Sequence, residues 1–190
     1  EAKKIILYAR KSGFNEFDSA ISYKVNKEIY KLLICNGFKI SSKLPFVKNV
    51  KLKNLEKYIK KRIEDYLKIN QIQTLYTLYI HDTKIIRNRK KLKIYFDILK
   101  KFKEKKKIKK IGIYTPNEIL MIKENLSPNF PDVIQFPCNF LDRRFCSKKT
   151  ISLLSKFKTK VYIRSIFLQG LLLMNDKDRP KYFSRFKKTL

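Results

Sequence analysis

The feature that most constrains the fold is a regular alternation of helix-like and strand-like segments along 190 residues. Apolar residues at helical spacing predict helices, and short apolar runs predict strands. Residues 74–81 are apolar at nearly every position, which predicts a parallel strand that is buried on both faces. The predicted helices are residues 2–11, 24–35, 52–69, 89–105, 117–124 and 148–157. The predicted strands are residues 14–19, 38–43, 74–81, 108–114, 133–139 and 161–167. One helix between successive strands is the pattern of right-handed βαβ crossovers, and it therefore predicts a parallel sheet.

Such a sheet belongs either to an open doubly wound domain or to a closed barrel. A complete eight-stranded barrel takes about 250 residues, and at least about 200. The chain has only four glycines and no Gly-x-Gly-x-x-Gly segment, which excludes the glycine-rich turn of a dinucleotide-binding Rossmann domain. We therefore predict an α/β fold in which residues 1–190 form a single domain, an incomplete (β/α)8 TIM barrel of about six βα units.

The net charge of +30 has two interpretations. Lysine supplies 37 of the 46 basic residues and arginine only 9, whereas nucleic-acid surfaces favour arginine for bidentate contacts. We attribute the lysines, including the run at residues 100–110, to genome composition acting on exposed positions, and we expect no specific nucleic acid as a partner. A basic nucleic-acid-binding protein stays open as an alternative, and the aromatic and basic tail at residues 181–188 could stack on bases.

The cysteines and the single histidine limit which kinds of disulfide or metal site the chain could form. Cys35, Cys138 and Cys146 are odd in number and lack CxxC spacing, so we expect ordinary buried cysteines in a reducing cytoplasm, without a disulfide framework. With His81 as the only histidine, we predict no metal site. No apolar stretch approaches the ~20 residues of a membrane span, so we expect a cytoplasmic protein without a membrane partner.

Four side chains of complementary chemistry occur at or just beyond the ends of the first three predicted strands. They are Asp18, Tyr23, Lys43 and His81. In a βα barrel the carboxyl edge of the sheet is where catalytic residues collect. Singly each has an ordinary explanation, since Tyr23 is one of eleven tyrosines and Lys43 one of 37 lysines. Together an acid, a phenol, an amine and an imidazole form a set able to transfer protons, and we predict a catalytic site there.

Five segments, in the same order, resemble motifs of the aldo/keto reductase family. They are residues 13–20 (GFNEFDSA) with Tyr23 after them, 42–44 (SKL), 79–82 (YIHD), 134–144 (IQFPCNFLDRR) and 164–172 (RSIFLQGLL). The resemblance runs from Glu1 to about Pro180. It implies that the six strands are the family's second to seventh, and that the chain is truncated at both ends.

The resemblance also implies an NAD(P)-dependent oxidoreductase that uses NADPH, or NADH, to reduce an aldehyde or ketone. Tyr23 would be the general acid, with its pKa lowered by the nearby ammonium of Lys43, and Asp18 would hold Lys43. His81 would orient the substrate carbonyl. Gln135 would bind the nicotinamide carboxamide, and Ser165 would be a second cofactor contact.

The substrate that the resemblance implies is a small-molecule carbonyl compound, and a sugar or sugar nucleotide is one class that it admits. The chain also departs from the family pattern. Lys24, Asn26 and Tyr30 stand where members usually have Gly, Glu and a small residue, and Arg164 stands roughly where many place an aromatic ring. A truncated homologue without catalytic activity is therefore the second hypothesis.

Overall fold

A computed structural model of the protein describes residues 1–47, 50–115, 124 and 131–186. Six parallel strands form one sheet in chain order. They are β1 (Glu16–Asp18), β2 (Lys39–Leu44), β3 (Leu75–Ile80), β4 (Ile108–Tyr114), β5 (Val133–Pro137) and β6 (Lys160–Arg164). The helices are α1 (Ala2–Lys11), α2 (Lys27–Cys35), α3 (Leu52–Ile69), α4 (Thr83–Ile86), α5 (Arg89–Glu104) and α6 (Lys148–Lys156). Short 3-10 segments follow at Leu168–Leu173, Asp176–Asp178 and Lys181–Phe186.

The predicted alternation is confirmed within these residues, with differences at the ends of elements. Helix α2 begins three residues later than predicted, because Asn26 is its N-cap and accepts a hydrogen bond from the Glu28 N–H at 3.0 Å. Strand β6 ends at Arg164, because Ser165 has a left-handed φ of 58° that an extended strand does not allow. The predicted helix at residues 117–124 lies outside the described residues except for Glu124, which is helical.

One face of the sheet packs against the helices through a continuous apolar core. Alternate strand residues such as Ile40, Leu78 and Ile134 belong to it, and α3 contributes Ile59 and Ile63. Strand β3 is buried as predicted, apart from the half-buried Tyr76. The residues of β1, which was also predicted to be a short buried strand, and those of β6 are half-buried or exposed. Both are edge strands with a single neighbour, so fewer side chains cover them.

The opposite face is polar, and the sheet curls so that β1 and β6 approach each other on this side. The hydroxyl of Tyr162 in β6 donates to the carboxylate of Glu16 in β1, and Lys160 Nζ lies 3.5 Å from Glu16 Oε1. Burial, with the Glu16 carboxylate next, raises the pKa of Tyr162 to about 12. The six strands therefore form a curled half-barrel, as the sequence predicts.

Buried hydroxyl groups link the first strand to two helices. Ser19 Oγ lies 2.9 Å from the Tyr30 hydroxyl, which lies 2.8 Å from the Tyr66 hydroxyl. Tyr30 is 1% exposed and comes from α2, and Tyr66 comes from α3. This contact explains why a large polar residue occupies position 30, and it fixes the segment that follows Asp18.

Among the described residues, no helix combines the length and the apolar character that crossing a bilayer requires.

Candidate active site

Asp18, Lys43 and Gln135 meet at the carboxyl edge of the sheet. The Lys43 ammonium donates to Asp18 Oδ2, and Gln135 Nε2 donates to the same oxygen at 3.1 Å. The three residues come from β1, β2 and β5, so the curl of the sheet brings together positions as far as 117 residues apart. The predicted Asp18–Lys43 pair is present, and Gln135 joins it through a contact that the motif alone does not predict.

Lys43 is held in a closed environment on the curled face. Its residue is 8% exposed, and its ammonium also donates to the Ser19 carbonyl at 3.2 Å. The ammonium lies 5.7 Å from the ring centre of Tyr79, which pairs with Lys43 in the register of β2 and β3. The predicted ammonium is therefore fixed by an anion, a carbonyl and an aromatic ring.

Tyr79 is a site residue that the sequence reasoning missed. Its ring is 2% exposed, and burial, with Asp18 next, raises the pKa of its phenol. The ring lies against Gly112 of β4, where a Cβ atom would come within 2.3 Å of Tyr79 Cδ1. A lone glycine inside a strand often marks such a close approach, so Gly112 was the available signal.

His81 follows β3 directly and lies between aromatic rings. Its imidazole centre is 4.4 Å from the ring of Tyr114 and 5.1 Å from that of Phe46. Burial lowers the pKa of His81, and the positive charges of Lys43 and Arg164 lower it further. The lowered pKa favours the neutral imidazole, in which one nitrogen carries a proton that it can donate.

Arg164 and Ser165 lie at the carboxyl end of β6, the last strand of the sheet. The Arg164 guanidinium lies 4.6 Å from the centre of the Tyr114 ring and donates to the Tyr114 hydroxyl. It also donates to Ser165 Oγ at 3.0 Å, and the Ser165 carbonyl accepts from Asn139 Nδ2 at 3.1 Å. Arg164 thus binds the hydroxyl predicted to contact a cofactor, and Tyr114 is a second aromatic neighbour that sequence reasoning missed.

Tyr23 is the predicted residue that the structure does not bring into the cluster. Its side chain is 60% exposed, and its hydroxyl makes no hydrogen bond to any part of the chain that the structure describes. The backbone around it is nevertheless anchored, since the Ile21 N–H donates to the Lys43 carbonyl and the Tyr23 N–H to the Ala20 carbonyl, both at 3.0 Å. The loop that carries Tyr23 is therefore attached to the strand that carries Lys43.

Gln135 has a side-chain oxygen that could accept a hydrogen bond from an amide group of a bound molecule. Its Nε2 is used by Asp18, whereas its Oε1 is buried and accepts no hydrogen bond from the described residues. A buried acceptor without a partner is costly, and a carboxamide NH₂ would satisfy it. Beside it lies a cavity of about 330 Å³ whose lining includes Asp18, Tyr79, Gln135 and Tyr162.

The expectation of buried cysteines is wrong. Cys35 and Cys146 are exposed and Cys138 is half-buried, because Cys35 ends a surface helix and the other two lie in the loop between β5 and α6. In the described parts of the chain, no group of three or more His, Cys, Asp or Glu side chains could hold a metal ion.

Known proteins resemble the chain in fold over most of its length. An aldo-keto reductase from Bacillus halodurans in its holo form has a TM-score of 0.73 at 20% identity, covering 94% of this chain and 59% of its own. An aldo/keto reductase from Brucella melitensis has a TM-score of 0.65 at 16% identity, covering 98% of this chain and 69% of its own. A mutant of the protein Gox0644 in complex with NADPH has a TM-score of 0.67 at 17% identity, covering 98% of this chain and 64% of its own.

These likenesses establish the fold, and they show that the chain spans about three fifths to two thirds of each matched structure. Among curated proteins, no relative of the chain is found by sequence. The sequence model of the Aldo/keto reductase family matches residues 1–189. This match covers nearly the whole chain, and the curled parallel sheet of the structure agrees with the match. The chain therefore belongs to the aldo/keto reductase family.

Proposed function

We propose that the chain carries the catalytic and nicotinamide-binding groups of an NAD(P)H-dependent carbonyl reductase, which converts an aldehyde or ketone into an alcohol. The observation that carries the proposal is the meeting of Asp18, Lys43 and Gln135 at one point of the carboxyl edge. This arrangement brings together an ammonium group that can lower the pKa of a nearby acid and a buried amide oxygen that can accept a hydrogen bond from a carboxamide. The complex of a similarly folded protein with NADPH supports this cofactor class.

In this proposal Tyr23 donates the proton that the carbonyl oxygen of the substrate receives. A phenol with an ordinary pKa near ~10 is a weak acid at neutral pH, and a neighbouring ammonium brings that pKa toward the working range. Lys43 supplies that ammonium, and Asp18 fixes its position. Tyr23 reaches it when its exposed side chain turns inward, on a loop already bonded to the Lys43 backbone. The bound nicotinamide supplies the hydride.

His81 and Gln135 orient the two reactants. As a neutral imidazole, His81 can donate its N–H to the substrate carbonyl oxygen without adding a second positive charge beside Lys43. Gln135 Oε1 accepts from the carboxamide, which fixes the face that the nicotinamide ring presents. Ser165 is a further cofactor contact, available when Arg164 releases its hydroxyl.

The substrate class is a small carbonyl compound, with sugars and sugar nucleotides as members to test. NADPH and NADH are both candidate cofactors, and the proposed location is the cytoplasm. The second candidate function is that of a non-catalytic homologue, and the exposure of Tyr23, which makes no contact with Lys43, favours it.

The direct test is to follow NADPH and NADH oxidation with a panel of aldehydes, ketones and sugars, comparing the chain with a Tyr23→Phe variant. We expect Tyr23→Phe to lower kcat by ~10²–10⁴-fold, because it removes the proton donor and nothing else. The matched control is Tyr8→Phe, because Tyr8 is also exposed, at 75%, and lies on α1.

Equal rates for Tyr23→Phe, Tyr8→Phe and the unaltered chain would remove Tyr23 from the mechanism. If no member of the panel is reduced while the chain stays folded, the non-catalytic homologue becomes the better account.

A further inference from the structure

Two of the three cysteines lie within contact distance in the loop between β5 and α6. Cys138 Sγ and Cys146 Sγ are 3.3 Å apart, although they are eight residues apart in the chain. A disulfide bond is about 2.05 Å long, so the sulfurs need to approach by only ~1.3 Å. We propose that Cys138 and Cys146 are an oxidation site, at which a peroxide converts the two thiols into an intramolecular disulfide.

The backbone holds both cysteines at fixed points of the fold. The Cys138 N–H donates to the Arg164 carbonyl at 3.1 Å, which ties the start of the loop to β6. The Cys146 N–H donates to the Arg143 carbonyl at 2.9 Å, and Ser147 beside it is the N-cap of α6. Each sulfur therefore comes from a residue whose position is set by a strand or a helix.

The loop between the cysteines is ordered by its own side chains. Asn139 Oδ1 accepts from the N–H groups of Leu141 and Asp142, at 2.8 and 2.9 Å, which closes a tight turn. Phe145 is 6% exposed and stacks on Phe136 of β5, with ring centres 4.6 Å apart. This turn and this buried anchor hold the two sulfurs close together.

The two thiols have different roles in the reaction. Cys146 is exposed, whereas Cys138 is half-buried and contact with the Cys146 thiol raises its pKa. Cys146 is thus the thiol that a peroxide meets first, and Cys138 resolves the product.

The oxidation balances with a peroxide as the only other reactant. The Cys146 sulfur attacks one peroxide oxygen, so that an S–O bond forms and the O–O bond breaks, giving a sulfenic acid. The departing hydroxide takes the Cys146 thiol proton and leaves as one water. The Cys138 sulfur then attacks the Cys146 sulfur, so that the S–S bond forms and the S–O bond breaks. The Cys138 proton leaves with that oxygen as a second water. The two thiols lose two electrons, which the peroxide gains.

The inference does not depend on the proposed function, because the modification is read out on the protein itself. The chain is treated with a small molar excess of hydrogen peroxide, free thiols are blocked by iodoacetamide, and the protein is digested with trypsin. Arg143 and Arg144 lie between the two cysteines, so cleavage separates residues 124–143 from residues 145–148 unless a disulfide joins them. We expect the joined pair by mass spectrometry, and its loss after reduction by dithiothreitol.

Three variants make the test specific. Cys35→Ser removes the distant exposed thiol and is expected to leave the joined pair unchanged. Cys138→Ser and Cys146→Ser are each expected to abolish it, and Cys138→Ser should accumulate sulfenic acid at Cys146. Sulfinic or sulfonic acid at Cys146 without a joined pair in the unaltered chain would overturn the proposal. Disulfides formed only between molecules would overturn it as well.

Discussion

At the scale of single residues, His81 shows how the fold sets a protonation state. The ring is covered by Phe46 and Tyr114, and the cations Lys43 and Arg164 act on it from β2 and β6. Asp18 and Asp82 act in the opposite direction, but burial is the largest effect and the pKa is lowered overall. A neutral imidazole keeps one N–H donor without placing a second positive charge beside Lys43.

This residue gives a pH prediction. His81 is the only histidine, so the Cε1 proton of its imidazole gives one NMR signal, and the titration midpoint of that signal should fall below the ordinary 6.5. Between that midpoint and about 6.5 the unfolded chain binds more protons than the folded one, so the free energy of unfolding rises with pH. The contribution is fully present above about 6.5 and is lost as the pH falls through the folded-state pKa. A His81→Asn variant should lack this part of the profile.

A midpoint at or above 6.5 would mean that the imidazole is not buried among these groups as described. The Lys43→Met variant is an internal check, because removing the ammonium should raise the His81 midpoint.

At the scale of elements, β4 needs a residue without a side chain at position 112, because the ring of Tyr79 from β3 occupies the space beside it. A Cβ atom at residue 112 would come within 2.3 and 2.6 Å of Tyr79 ring atoms and 2.9 Å of Thr77 Cγ2. Gly112 pairs with Tyr79 in the strand register, so the contact cannot be relieved by moving a flexible chain end. The glycine therefore fixes where Tyr79, and through it Lys43, lies.

We expect Gly112→Ala to lower the free energy of unfolding by about 1–3 kcal/mol or more, since it overpacks a rigid contact. In a Tyr79→Val background the penalty should be smaller, because the clashing ring atoms are gone. Chemical denaturation of the unaltered chain, the two single variants and the double variant gives the coupling free energy between residues 79 and 112. Gly13→Ala is the control: Gly13 has a φ of +87° and open space around it, so its cost is backbone strain that Tyr79→Val should not change.

Equal penalties for Gly112→Ala in both backgrounds would contradict the contact between β3 and β4.

At the scale of the whole molecule, the sheet places distant segments on one edge, and this explains what the sequence could predict. Asp18 and Lys43 were predictable because each ends a strand-like run and parallel strands end at the same edge. The fold class followed from the alternation of elements. Tyr79, Tyr114 and the Cys138–Cys146 pair were not predictable, because their contacts depend on the curl of the sheet and on one loop turn.

The predicted ends of helices and strands were least accurate where a cap or a left-handed residue decided the end. Asn26 starts α2 by capping it, and Ser165 stops β6 through its positive φ. Neither event leaves a signal in the apolar periodicity from which the elements were predicted. Tyr23 is the converse case, a residue whose motif is clear and whose side chain lies outside the cluster.

The central claim is that this edge binds a nicotinamide cofactor through specific contacts, and a titration tests it most directly. NADPH binding is followed by the cofactor's own emission, since the chain has no tryptophan, at rising salt concentrations. Specific contacts predict saturable binding that persists as the salt concentration rises and that Gln135→Met weakens. Gln73→Met is the control and should leave binding unchanged, because Gln73 precedes β3 at the opposite edge of the sheet. Binding that disappears with salt and does not respond to Gln135→Met would contradict the account, since a net charge of +30 attracts any polyphosphate.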